Sequence, residues 1–209
     1  MKHYGIHCLR FFSLILGILC VTHAAHAALP PSRFAAGDEA FRLRATPERA
    51  RESLQKYRAE AKNSPEDSEG LWRLGMACYF VGHRLTSDPK EKAELFKEGS
   101  EAAIRGALKN DSCAACHFWG AINRALLNQT EGTFDTLFGL NLIKKHLLRT
   151  IEIDPGYASG GAYRTLGQIE EKLPRMLGGS VRRARSMYEH AIEVAPDEPL
   201  NYLFLARLN

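Results

Sequence analysis

Beyond residue 30 the 209-residue chain has no apolar run of the roughly 20 residues that a helix needs to cross a bilayer. It also lacks any sustained alternation of apolar and polar residues, which excludes a sheet as the organising element. Charge of one sign is not in excess. Twenty-eight Lys and Arg face 24 Asp and Glu, for a formal net charge of +4, and no basic stripe is interleaved with aromatics, so nucleic acid is not an expected partner. No hydrolase, metalloprotease, nucleotide-binding or dehydrogenase signature occurs. Cys113, Cys116 and His117 have no second ligand pair at finger spacing, so zinc is a poor reading. We therefore expect no enzyme, no catalytic residue and no metal.

The first 30 residues read as a targeting segment. Lys2 and Arg10 precede an apolar run from Phe11 to Val21, and Ala25-His26-Ala27 supplies a small-x-small cleavage pattern. The expectation is a signal peptide over 1–27, cleavage after Ala27 and a periplasmic protein. Leu19 before Cys20 argues against a lipoprotein. Of five cysteines, Cys78, Cys113 and Cys116 would remain, in an oxidising compartment.

What the remaining chain does have is helical periodicity. Residues 28–46 read as a linker with a short helix near Phe34 to Leu43, and 47–209 as a repeat domain. Thr46-Pro47-Glu48 starts a helix with a Thr cap, Pro in the first turn and an acid behind it. Leu71, Leu74, Gly75 and Cys78 then mark a helix A, and Ser100, Ile104 and Ala107 its helix B, with a polar loop expected over Gly82 to Lys92. Ala115 to Leu127 and Ile143 to Ile151 form a second pair. The clearest unit is Gly160 to Pro196. Tyr163, Leu166, Gly167 and Glu170 share one helix face, and Ala184, Tyr188, Ala191 and Ile192 another. Gly167 and Ala184 permit close approach, and Pro196 ends the unit. Leu173 to Ser180 interrupts the two helices. Helix-B endings recur roughly every 40–45 residues, longer than the 34 of regular tetratricopeptide (TPR) repeats, with the excess expected between helices A and B. The fold class is all-α: irregular TPR-like helical hairpins in an α-α superhelix.

Several stretches resemble one family more closely: Cys116-His117-Phe118-Trp119-Gly120-Ala121-Ile122-Asn123, Gly160-Gly161-Ala162-Tyr163-Arg164-Thr165-Leu166-Gly167, and Leu173-Pro174 with Gly178-Gly179-Ser180. From about Pro47 onward the chain resembles the TPR-like T-component (TatT family) of tripartite ATP-independent periplasmic (TRAP) transporters. That resemblance implies an accessory transport protein that engages a periplasmic solute-binding protein. It also implies a homo-oligomer and a groove for a small apolar or carboxylate ligand. Trp119, Tyr163 and Arg164 are the candidate ligand-binding residues. For Arg164, a contact to an anion near a helix start stands beside an ion pair with Glu170 or Glu171. Trp72, Phe118, Tyr188 and Tyr202 could join a groove or fill a core.

Cys113-Ala114-Ala115-Cys116-His117 is the sharpest motif. Cys-x-x-Cys-His is the attachment pattern of haem c, with two thioethers and an axial histidine. It makes a monohaem electron-transfer protein the alternative function. A local Cys113–Cys116 redox pair and plain packing of small residues at a helix start are the other two readings. A structural adaptor without ligand or cofactor completes the alternatives.

Overall fold

The computed structural model describes residues 32–132 and 134–208, without the side chains of 134–138. The described residues form helices and no strand: α1 (Ala35–Arg42), α2 (Pro47–Asn63), α3 (Ser68–Arg84), α4 (Pro89–Lys109), α5 (Ala114–Glu131), α6 (Phe134–Ile153), α7 (Tyr157–Lys172), α8 (Val181–Val194) and α9 (Pro199–Arg207). A single 3-10 turn, Arg175–Leu177, lies between α7 and α8. The expected signal peptide, residues 1–27, lies outside the described residues.

Local chemistry sets the helix starts. Asp67 accepts from the backbone N–H of Glu69 and Gly70, and Asp88 from those of Lys90 and Glu91, satisfying orphan donors of α3 and α4. Pro89 and Pro199 occupy first-turn positions, where a missing N–H costs nothing. Successive helices pack as hairpins. From α3 onward each odd-numbered helix also packs on the next odd-numbered one, and no even-numbered pair packs to a comparable extent. The odd-numbered helices therefore line one continuous face.

The long repeat period has a different origin from the one expected. Helix starts at Ser68, Ala114, Tyr157 and Pro199 are spaced 46, 43 and 42 residues apart. In the first two units the extra length is in the helices themselves. Most of the loop expected over Gly82 to Lys92 is helical, leaving only Leu85 to Asp88 as a connection. Asn128 to Thr130 likewise belong to α5. Only the last unit keeps a long connection.

Hairpins close where a glycine faces a ring. A Cβ on Gly37 in α1 would fall 2.6 Å from Tyr57 of α2, and one on Gly82 in α3 would fall 2.7 Å from Phe96 of α4. Gly167 of α7 meets the edge of Tyr188 of α8 more tightly still. Tyr57 and Tyr188 are fully buried, and each hydroxyl reaches an acid of the facing helix: Asp38 Oδ1 at 2.7 Å and Glu171 Oε2 at 2.7 Å. Burial and those carboxylates push both phenols well above their ordinary pKa, so they remain donors.

Gly167→Ala should lower stability by about 1–2 kcal/mol, because overpacking against a fixed ring outweighs the helix-propensity gain of alanine. Gly156→Ala, with only Asp154 Oδ1 at 3.5 Å, should stay within about 0.5 kcal/mol. Chemical denaturation of both variants measures the contrast. Equal stabilities would contradict the role assigned to the Gly167–Tyr188 contact.

Candidate functional site

The face made by the odd-numbered helices carries a bridge of aromatic rings. Tyr79 of α3 stacks on His83 one turn away at 5.4 Å and meets Trp119 of α5 at 5.3 Å. Trp119 sits edge-on to Phe118 at 5.0 Å, and Phe118 packs on Tyr157 of α7 at 5.4 Å. The Trp119 indole N–H donates to the Tyr157 hydroxyl at 2.9 Å. Burial drives the Tyr157 phenol up to about 12, against the opposing effect of that indole N–H. Tyr79, Trp119 and Tyr157 are half-buried, as are Met76 and Ile122 on the same two helices, and His83 is exposed. Aromatic and methionine side chains left half-covered on an otherwise well-packed face are the composition of a protein contact surface.

Arg164 has neither of its expected partners. Its guanidinium donates to the carbonyls of Ser159 at 2.5 Å and Ala158 at 3.2 Å, and to Asn201 Oδ1 at 2.6 Å. Those carbonyls belong to a turn at the start of α7 in which Ala158, Ser159 and Gly160 are all left-handed, with φ of 51°, 55° and 74°. Such a conformation costs about 1–2 kcal/mol for each residue bearing a Cβ. Arg164 holds the turn from one side. Asn201 of α9 ties it to α8, donating to the carbonyls of Ala191 at 2.8 Å and Ala195 at 3.0 Å. Burial lowers the Arg164 pKa, although nearby Glu198 and Tyr79 oppose the shift. The Gly-Gly-Ala-Tyr-Arg stretch is thus a backbone device that ties the start of α7 to α8 and α9. Tyr163 faces α8, its ring 5.6 Å from His190. Of the three residues expected to bind a ligand together, only Trp119 belongs to the aromatic bridge.

The Cys-x-x-Cys-His segment is occupied by its own contacts. Cys113 caps α5, its sulfur accepting from the Cys116 N–H, and the two cysteines are joined as a disulfide. Cys116 is fully buried and fills the notch at Gly106 of α4. His117 Nδ1 lies 2.8 Å from His146 Nδ1 of α6, and His117 Nε2 lies 3.1 Å from the Asp111 carbonyl. With both rings neutral and Nε2–H donating to that carbonyl, His146 supplies the proton between the two Nδ1 atoms. Burial is the first cause of a lowered pKa at both, taking His146 down to about 4. Neither sulfur is free for a thioether and neither His117 nitrogen is free for iron, so the haem reading is corrected to a packed junction of α4, α5 and α6. Trp72 packs against the same cysteines, and Tyr188 is core.

A cleft of about 490 Å³ lies between α2 and α4, lined by charges of both signs that include Arg58, Lys97, Glu98 and Arg105. Arg58 and Glu98 pair across it with two bonds of 2.7 and 2.6 Å. Among the described residues, no cluster of three or more His, Cys, Asp or Glu could hold a metal.

Sequence reasoning missed Tyr79, Tyr157 and Asn201, and it placed neither His83 nor His146 beside the ring it packs on. Tyr79 and His83, four and eight residues beyond Gly75, continue its helix and share one face, and that spacing was the available signal.

Residues 37–208 match the family model described as regulator of microtubule dynamics protein 1-3. Regulator of microtubule dynamics protein 1 of Pongo abelii is 35% identical over 104 residues, 50% of this chain and 33% of that protein. Regulator of microtubule dynamics protein 3 of Xenopus laevis is 30% identical over 139 residues, 66% of this chain and 29% of that protein. Regulator of microtubule dynamics protein 2 of Mus musculus is 26% identical over 183 residues, 81% of this chain and 44% of that protein. The chain spans less than half the length of these curated relatives. Two crystal structures of MamA superpose with TM-scores of 0.55 and 0.56, at 17% and 18% identity. They cover 82% and 84% of this chain, and 81% and 78% of the MamA chains, and they support the TPR-like fold.

These matches overturn the resemblance to TRAP T-components. With it fall the accessory transport role, the solute-binding-protein partner and the electron-transfer alternative. The periplasmic placement falls too, because the matching relatives are vertebrate proteins named for microtubule dynamics.

Two predictions follow from the buried clusters. A histidine held neutral contributes stability that is fully present above its unfolded pKa and is lost as pH falls. His146 should therefore cost about 3 kcal/mol as pH drops from about 6.5 to about 4. Unfolding free energies measured across that window should fall less steeply for His146→Gln. Arg164→Ala should destabilise the chain by about 1–3 kcal/mol by leaving the left-handed turn's carbonyls without their donor. Arg164→Lys should recover only part of that loss, since one ammonium cannot reproduce the planar fork.

Proposed function

The chain belongs to the regulator of microtubule dynamics family, and on that premise we propose that its helical array is a protein-binding module in the control of microtubule growth and shortening. A polypeptide partner lies along the face of α3, α5 and α7, against Met76, Tyr79, His83, Trp119 and Ile122. One observation carries the reading: the family match runs from residue 37 to residue 208, from α1 to α9. What the chain shares with its relatives is therefore the array itself rather than an appended segment. Helical-repeat arrays use the extended face of their stacked units to hold partner chains, and the half-buried aromatics of this face suit such a contact.

Reconstituted microtubules test it. Full-length chain should pellet with polymerised tubulin or a bound regulator and should change growth or shortening rates. Tyr79→Ser combined with His83→Ala should weaken that association by about tenfold or more, as removal of central aromatic contacts does. The melting temperature of the variant should move by no more than about 4 °C. A chain that neither pellets nor alters either rate would overturn the proposal.

A further inference from the structure

The connection between α7 and α8 is a spur with no counterpart among the other connections. Residues 173–180 make up eight residues, against two to four between the other successive helices. Its backbone is fully organised. Leu177 N–H donates to the Pro174 carbonyl at 2.9 Å, Gly178 N–H to that of Arg175 at 3.0 Å, and Gly179 N–H to that of Pro174 at 3.1 Å. Ser180 N–H returns to the Glu170 carbonyl at 2.9 Å. Gly178 turns the chain at φ 90°, and Gly179 lies so close to the Leu173 carbonyl that no Cβ would fit. Arg183 binds the Gly178 carbonyl and Glu170, locking the spur to α7.

This ordered backbone displays side chains instead of burying them. Met176 is 90% exposed, Val181 57% and Leu177 48%. Exposed Lys172, Arg175 and Arg182 flank them along the chain and form no ion pair among the described residues. The neighbouring acids are engaged: Glu170 binds Lys144 at 2.7 Å and Arg183, and Glu171 accepts from Tyr188. A hydrogen-bonded backbone beneath an apolar tip, with cations beside it in sequence, has less conformational entropy to lose when a partner binds.

From this geometry we infer that the spur is a second docking element, fitting an acidic polypeptide segment that carries an apolar side chain. Methionine and leucine meet that side chain, and the three cations meet the surrounding carboxylates. A polypeptide fits better than a bilayer, because the tip lacks the Trp, Tyr or Phe that anchors loops in lipid headgroups. The exposed methionine adapts to protein contacts of varied shape.

A labelled peptide, Glu-Glu-Leu-Glu-Glu-Phe-Glu, titrated with full-length chain tests the inference by fluorescence anisotropy. It should bind, bind more weakly as salt rises, and bind better than an all-glutamate peptide. Arg175→Glu with Arg182→Glu should weaken binding about tenfold and remove most of the salt dependence. Met176→Ser with Leu177→Ser should weaken it about threefold and leave the salt dependence in place. All four side chains are exposed, and circular dichroism should report unchanged helix content. The inner-face variant Tyr79→Ser/His83→Ala should bind the peptide normally, so failure at the spur leaves the reading of the inner face standing. Three results would overturn the inference. The chain could bind the peptide no better than one with lysine in place of glutamate. The spur variants could bind it as the unaltered chain does. Or they could lose binding to phosphatidylserine vesicles, or self-association by light scattering, while peptide binding is unchanged.

Discussion

The architecture depends on glycine facing a ring across a helical hairpin. Where Gly37 meets Tyr57, Gly82 meets Phe96 and Gly167 meets Tyr188, the missing Cβ leaves room for the edge of an aromatic ring in the hairpin seam. Its hydroxyl, where it has one, ends on an acid of the opposite helix. The α5–α6 hairpin closes without a ring, Gly139 facing the Asn128 amide. Close approach between units comes at Gly75 of α3, where a Cβ would fall 3.3 Å from that of Trp119, and there Tyr79, Trp119 and Tyr157 meet across three odd-numbered helices.

Polar ties then fix one unit to the next. Asp38 of α1 accepts from Tyr57 of α2 and from Arg73 of α3, joining three helices through one carboxylate. Asn123 of α5 donates to the carbonyl of Gly75 in α3 at 2.9 Å, from a position with no solvent access. Arg164 and Asn201 do the same at the far end, where they offset the strain of the left-handed turn. A buried tie of this kind contributes modestly when made and costs more when broken, so it defines the geometry of the array more than its overall stability.

Much of this was legible in the residues and part was not. Gly167, Ala184, Tyr188 and Pro196 announced a helical hairpin because close approach, ring filling and helix termination are local requirements. The stretch from Gly82 to Lys92 was misread as a loop. Its polar residues include the last turn of α3, His83 and Arg84, and the solvated first turn of α4, Lys90 to Lys92, and polarity there says nothing about backbone conformation. The Cys-x-x-Cys-His spacing suits haem attachment and also suits a disulfide in the first turn of a helix. Only the position of His146, 29 residues away, shows where His117 points. Gly-Gly-Ala-Tyr-Arg misled in a similar way. Its geometry serves a strained turn and an arginine clamp, which any helical array can require, so it could not tell the transporter-component family from the regulator of microtubule dynamics family.

The central claim is that a polypeptide partner lies on the face of α3 and α5. Amide hydrogen exchange on the full-length chain, with and without polymerised tubulin and its bound regulators, tests it most directly. The account predicts added protection in the turns around Met76 to His83 and Trp119 to Leu126, with α2 and α4 unchanged. Protection confined to α2 and α4, or none in any helix, would contradict it.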